Sequence, residues 1–398
     1  MIRESADVKV VFALNAFKES LSAIEACRAV AKGFCRGCPE TEAVLFPVAD
    51  GGDGTAEALV AATSGKLVAR RVYGPLGRPV RARYGTLGDG RTAIIEMAKA
   101  SGLALVPPRL RNPLETTTYG TGELIADALR RGVRRIIVGL GGSATVDLAA
   151  GMAQALGARL LDRSGRPIGR GGGALADLVR IDLADLRSRL AGVEIIGATD
   201  VTNPLLGRRG GIRIYSPQKG ATPAMVRQLE AGARHAAQII RRDLGIEVAD
   251  IPGAGAAGGF GAGIVAWLGG QLRSGIDVIL EAADFAHAIA GAALIVTGEG
   301  RIDGQTVFGK APAGVARQAK AAGIPCIAIA GSIGPGAHTL HRLGIHAMFS
   351  ICNGPMPLGE ALQGARSLAE QCGEQIGRLW MATVHPLVAR TVRNKIYV

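Results

Sequence analysis

The run Ala293-Leu-Ile-Val-Thr297, followed by Pro325-Cys-Ile-Ala-Ile-Ala330 and Ala347-Met-Phe-Ser-Ile351, decides the fold class. Each block is apolar at consecutive rather than alternate positions, the pattern of a strand covered on both faces. A helical stretch from Ala313 to Ala322 separates the first two, and another around Ala337 to Leu343 separates the second and third. Buried strands alternating with helices predict a parallel, doubly wound sheet. The N-terminus has the same grammar: strand Val8-Lys-Val-Val-Phe-Ala13, a capping box at Ser22-Ala-Ile-Glu25, a helix with Ile24, Cys27, Val30, Ala31 and Phe34 on its apolar face, and strand Ala43-Val-Leu-Phe-Pro47.

The middle reads differently. Leu67 to Tyr73, Val80 to Leu87 and Thr92 to Met97 are strand-like and separated by glycine- and proline-rich turns, as in an antiparallel meander. A helix (about Thr121 to Arg131), a strand (Arg134 to Leu140), a glycine turn and a helix beginning near Thr145 follow, then a helix capped by Thr222 and running toward Arg242. The predicted architecture is α/β with two domains. A discontinuous flavodoxin- or Rossmann-like parallel domain comes from residues 1–65 and 290–398, and an inserted mixed α/β domain from 66–289. The active site is expected in the cleft between them.

Composition narrows the functions open to such a chain. Its 398 residues carry 46 Lys and Arg against 33 Asp and Glu, a net charge of +13. That balance attracts anions: nucleic acid, acidic membranes or small phosphorylated substrates. Aromatics are only 4%, and no stretch alternates them with basic residues as a base-stacking platform requires. Six cysteines do not make a disulfide scaffold, and no signal peptide or long apolar stretch is evident, so the expectation is a cytoplasmic protein with reduced thiols. Cys35-Arg-Gly-Cys38 has no second CxxC and no histidine at zinc-ligand spacing. A small-molecule partner is expected, with no nucleic acid and no membrane; a homodimer is compatible with this reading.

Functional groups of a parallel sheet collect past the carboxyl ends of its strands. There lie Asn15-Ala-Phe-Lys18-Glu-Ser20, Val48-Ala-Asp50-Gly-Gly-Asp53-Gly-Thr55, Gly141-Gly-Ser143-Ala-Thr145-Val-Asp147, Thr199-Asp200-Val-Thr-Asn203-Pro and Gly298-Glu299-Gly-Arg301-Ile-Asp303. Glycine backbone beside carboxylates, hydroxyls and cations suggests phosphoryl transfer, in which N–H groups, Lys or Arg and carboxylate-held Mg²⁺ neutralise charge while another carboxylate orients the attacking hydroxyl. Each loop also has a structural reading: a tight turn for Gly141–Thr145, helix caps for Asp50 and Asp53, a solvated lysine for Lys18. Gly304-Gln-Thr-Val-Phe-Gly309-Lys310-Ala311 fails as a P-loop, because Ala311 stands where a Mg²⁺-binding Ser or Thr belongs. Gly253-Ala-Gly255-Ala-Ala-Gly258 matches GxGxxG, but Asp250 and Pro252 interrupt the strand that should precede it.

At these loops the sequence resembles the bacterial glycerate kinases of the type I family. The matching stretches run in order over about residues 8 to 375: Phe17–Ser22, Pro47–Thr55, Glu115–Glu123, Gly141–Thr145, Asp200–Leu205, Pro217-Gln-Lys-Gly-Ala221, Pro252–Gly259, and Thr297–Asp303 with Gly309-Lys310. The resemblance implies two α/β domains and ATP-dependent phosphorylation of D-glycerate, with 2-phosphoglycerate ahead of the 3-isomer as product. Two departures stand out. The family has Pro-Asp-Ser where this chain has Leu14-Asn15-Ala16, and Asn-Asp-Gly-Gly-Ala-Gly where it has Val146-Asp147-Leu148-Ala149-Ala150-Gly151. The second is expected to narrow a phosphate pocket or change the hydroxy acid accepted.

ATP and Mg²⁺ are the expected cofactors. Asp200 is the candidate base, backed by Asn203; Asp303 or Glu299 is the candidate Mg²⁺ ligand; Lys18 and Arg301 neutralise carboxylate or phosphoryl charge. Asp50, Asp53, Ser143, Thr145 and Lys310 join them as binding residues. Two other readings are a silent hydroxy-acid-binding homologue and a nicotinamide-dependent oxidoreductase using Gly253–Gly258.

Overall fold

The computed structural model describes residues 8–48, 54–307 and 309–384. In chain order the strands are β1 (Val8–Leu14), β2 (Thr41–Leu45), β3 (Lys66–Tyr73), β4 (Pro79–Thr86), β5 (Thr92–Glu96), β6 (Arg135–Gly139), β7 (Arg159–Leu161), β8 (Arg180–Asp182), β9 (Glu194–Ala198), β10 (Gln271–Arg273), β11 (Leu294–Ile302), β12 (Cys326–Ile333) and β13 (Ile345–Ser350). They fall into two units, one from the described part of residues 1–50 and 279–398, the other from that of 51–278.

The first unit holds a five-stranded sheet in the order β13-β12-β11-β1-β2 with every pair parallel. Val10 to Leu14 are fully buried, as the consecutive apolar run requires. Val10, Phe12 and Leu14 share one cluster with Leu294, Val296 and Ile329 and with two helices, Ala23–Gly37 and Leu358–Val384. The expected capping box forms: Glu25 N donates to Ser22 Oγ, and Ser22 N donates to the Glu25 carboxylate. The stretch Ala337–Leu343 is a 3-10 rather than an α-helix.

These two helices approach closely because glycine lines both. A Cβ at Gly33 would stand 1.9 Å from the Glu370 carbonyl, and one at Gly373 would stand 2.3 Å from that of Val30. Salt bridges flank the contact, Lys32 to Glu370 at 3.0 Å and Arg36 to Glu374 at 3.0 Å.

The second unit holds a six-stranded mixed sheet in the order β10-β9-β6-β5-β4-β3. The hairpin β3–β4 and the pair β4–β5 are antiparallel, as the meander reading expects, whereas β5, β6, β9 and β10 run parallel. A two-stranded ribbon, β7–β8, lies beside it in sequence. Its core, including Tyr84, Ile95, Val138, Leu148, Phe260 and Trp267, is a separate cluster from the first unit's. The helix expected near Thr145 begins only at Ala150, because Leu148 and Ala149 take left-handed φ values of 48° and 56° that no helix accommodates. No described helix is long and apolar enough to cross a membrane.

Candidate active site

In the first unit, three neighbouring strands deliver polar residues to the carboxyl edge of the sheet. Leu14 of β1 pairs with Gly298 of β11, and Glu299 pairs with Ala330 of β12, so the residues after each strand emerge together. After β1 the chain closes a tight turn in which Leu21 N donates to the Phe17 carbonyl; Lys18 is exposed at its tip. Gly300 lies against this turn, and a Cβ there would stand 3.3 Å from Lys18 N.

The end of β11 gathers four of the predicted residues. Glu299, 7% exposed, accepts from Thr306 Oγ1 at 2.8 Å and lies 3.7 Å from Lys310 Nζ. Arg301 Nε donates to Asp303 Oδ2 at 3.0 Å, and Gln305 N donates to Asp303 Oδ1 at 2.9 Å. The Gln305 N–H, together with Arg301 and Lys310, holds the Asp303 carboxyl below its ordinary range, so it stays an anion. Two carboxylates and two cations thus share one short segment, the composition a charged phosphoryl group and its counter-ions need.

In the second unit, β6 and β9 lie side by side in register, with Gly139 opposite Ala198, and release their loops at one edge. Asp200 follows β9. Its Oδ1 accepts from Gly275 N at 3.0 Å and from Ser274 Oγ at 3.5 Å, which orients the carboxylate at the start of the helix Gly275–Ala282. Asn203 does not lend its side chain to Asp200: its amide donates to the Arg209 carbonyl at 2.8 Å and accepts from Tyr215 Oη at 2.8 Å, bracing its own loop.

Several polar atoms of the loop after β6 are held by hydrogen bonds. Ala144 N donates to the Ser101 carbonyl, and Thr116 Oγ1 donates to the Ala144 carbonyl. Lys219 Nζ reaches in from Pro217–Ala221 to Ser143 Oγ at 2.6 Å and to the Thr145 carbonyl at 2.8 Å. Asp147, 1% exposed, accepts through Oδ2 from Thr118 N and Thr118 Oγ1, both at 2.9 Å. Burial raises the Asp147 carboxyl, against those hydrogen bonds. The helix that follows starts five residues after Thr145, so the loop does not sit at a helix N-terminus as the sequence suggested.

Asp50 and Asp53 lie outside the described residues. Val146 and Leu148, where the family pattern has Asn and Gly, are 1% and 0% exposed and belong to the second unit's core. Gly253–Gly258 is not a dinucleotide turn: β9, the strand before it in sequence, ends at Ala198. Its last glycine instead lets the chain pass the β6 loop, since a Cβ at Gly258 would stand 2.0 Å from the Thr145 carbonyl. Sequence reasoning quoted Asp147 within its loop and Lys219 within a matching stretch but gave neither a role. A lysine between apolar runs gives no sign of burial; the only hint was Lys219's place in the matching stretch Pro217–Ala221.

Known proteins resemble this chain over most of its length. The model of the glycerate kinase family matches residues 10–381. The chain is 51% identical over 367 residues to a glycerate kinase of Halalkalibacterium halodurans, covering 92% of this chain and 97% of that one. It is 50% identical over 358 residues to a glycerate 2-kinase of Escherichia coli, covering 90% and 94%. A crystal structure described as glycerate kinase 2 from Salmonella typhimurium LT2 matches with a TM-score of 0.86 at 46% identity, over 94% of this chain and 99% of that one. With a family model over nearly the full length and relatives at about half identity, the chain belongs to the glycerate kinase family.

Proposed function

We propose that the enzyme transfers the γ-phosphoryl group of ATP to the C2 hydroxyl of D-glycerate, giving 2-phosphoglycerate and ADP. The hydroxyl oxygen forms a bond to the γ-phosphorus, the bond to the bridging oxygen breaks toward ADP, and the hydroxyl proton passes to Asp200. The observation that carries the reading is the pairing of Glu299 with Lys310 and of Arg301 with Asp303, from the last residues of β11 into the turn that follows it. The glycerate 2-kinase relative in Escherichia coli supports C2 as the acceptor.

Arg301 and Lys18 neutralise the phosphoryl or the glycerate carboxylate, Arg301 being the group suited to bidentate contact. Ser143, Thr145, Asn203, Asp50 and Asp53 complete the binding residues. Among the described residues no group of three or more His, Cys, Asp or Glu forms a dedicated metal cage. Mg²⁺ is commonly held by one or two carboxylates together with substrate phosphates. Glu299 and Asp303 supply such oxygens, and the ion, when bound, neutralises charge on the transferring phosphoryl. The six cysteines are free thiols, in keeping with a cytoplasmic enzyme.

Phosphorus NMR of ATP with D-glycerate tests activity and regiochemistry together. A 2-phosphoglycerate resonance is expected; the 3-isomer alone overturns the C2 assignment, and no product overturns the reading. Asp200→Asn and Asp303→Asn should each lower kcat about 100-fold or more; near-wild-type turnover in both would show that the roles are wrong.

A further inference from the structure

Lys219 has no part in the scheme above, yet it is 2% exposed and its Nζ meets two acceptors of the β6 loop. Burying an ammonium costs several kcal/mol, and an apolar side chain would fill the same space at no such cost. Burial pushes Lys219 down to about 7, with the Asp147 carboxylate opposing.

While Lys219 is protonated, the 2.6 Å bond has a fixed direction. An ammonium carries donors and no acceptor, so Ser143 Oγ accepts and its own hydrogen points elsewhere. A hydroxyl that accepts from a cation is polarised and donates more strongly. Among the described residues no group accepts that hydrogen, and the neighbouring Thr145 Oγ1, fully buried, likewise has no partner. The loop therefore presents a polarised donor.

We infer that Lys219 is a positioning residue that acts through Ser143, holding its hydroxyl as a donor to an anionic oxygen of a substrate. The chemistry is shared by the triphosphate of the nucleotide and the carboxylate of glycerate, and the inference rests on the kinase reading for both.

The test uses full-length Ser143→Ala, Lys219→Met and the double variant, with ATP and D-glycerate each varied and melting temperatures recorded. Ser143→Ala should raise KM for one substrate about tenfold, the loss of one charge-assisted hydrogen bond, with an unchanged melting temperature. The substrate whose KM moves is the one bound. Lys219→Met should raise the same KM, and the double variant should be no worse than Lys219→Met alone. Both KM values within twofold of wild type in Ser143→Ala, or losses that multiply in the double variant, overturn the inference. Ser143→Ala decides alone if Lys219→Met does not fold. Thermal shift with tripolyphosphate and with D-glycerate separates the two readings. A shift lost in Ser143→Ala, from a wild type that makes no phosphoglycerate, upholds the inference and sinks the kinase reading. Product formed with KM unchanged in Ser143→Ala does the reverse.

Discussion

Leu148 and Ala257 occupy the same left-handed region of backbone space, with φ of 48° and 52°, and substitution by glycine should move stability in opposite directions. A non-glycine residue held there costs about 1–2 kcal/mol, because Cβ meets the following carbonyl oxygen. Ala257 is half-buried with only a methyl to lose, so Ala257→Gly should raise stability by about 0.5–1 kcal/mol. Leu148 is fully buried, with Gly259 against its side chain, where a Cβ would stand 2.7 Å from Leu148 Cγ. Leu148→Gly should therefore lower stability by about 2 kcal/mol or more as a cavity opens. Urea unfolding at neutral pH checks both; stabilisation of both would show that strain, not burial, governs the pair, and destabilisation of both that relief of strain is the smaller term at each site. The position of Leu148 and Ala149 also explains the family pattern: the resemblance expects two glycines where this chain bends left-handed. That bend delayed the helix to Ala150, and nothing local in Val146-Asp147-Leu148-Ala149 announces it, since leucine and alanine are helix formers by propensity.

At the scale of elements, legibility followed sequence distance. The strands β1, β11 and β12 were readable because a doubly covered strand must be apolar at every position, and the capping box at Ser22 was readable because its two partners stand three residues apart. The charged segment at the end of β11 was readable for the same reason: Glu299, Arg301 and Asp303 lie within five residues, although the strand runs on to Ile302 and carries the first two. Lys219 with Ser143 was not, since 76 residues separate them. Nor was the seam between Ala23–Gly37 and Leu358–Val384, where Gly33 and Gly37 face Gly373 and Gly377 across more than three hundred residues. Each helix alone shows two glycines four apart, which reads as poor helix propensity rather than as an interface. Gly33→Ala should destabilise by about 1–3 kcal/mol, because the added methyl meets backbone, which has no rotamer to yield. On propensity alone the same change would stabilise by about 1 kcal/mol. The sign of the shift in the urea midpoint decides between packing and propensity.

For the whole molecule the consequential fact is two separate apolar clusters, with every residue of one drawn from a single continuous stretch and the other assembled from both ends of the chain. A continuous unit with its own core needs no long-range closure to fold, whereas the discontinuous one must bring β1 beside β11 across 284 residues, the separation of the bonded pair Ala13 and Thr297. The fragment 51–282 should accordingly fold alone and melt cooperatively, its length lying within the range of single domains. In the full chain, Gly33→Ala lies in the discontinuous unit and should lower the transition of that unit while leaving the fragment's transition temperature where the wild-type chain has it. Calorimetry of the full chain, the variant and the fragment reads this directly. One coincident transition, shifted as a whole by Gly33→Ala, together with a fragment that fails to melt cooperatively, would mean that the two cores stabilise each other and that neither is an independent folding unit.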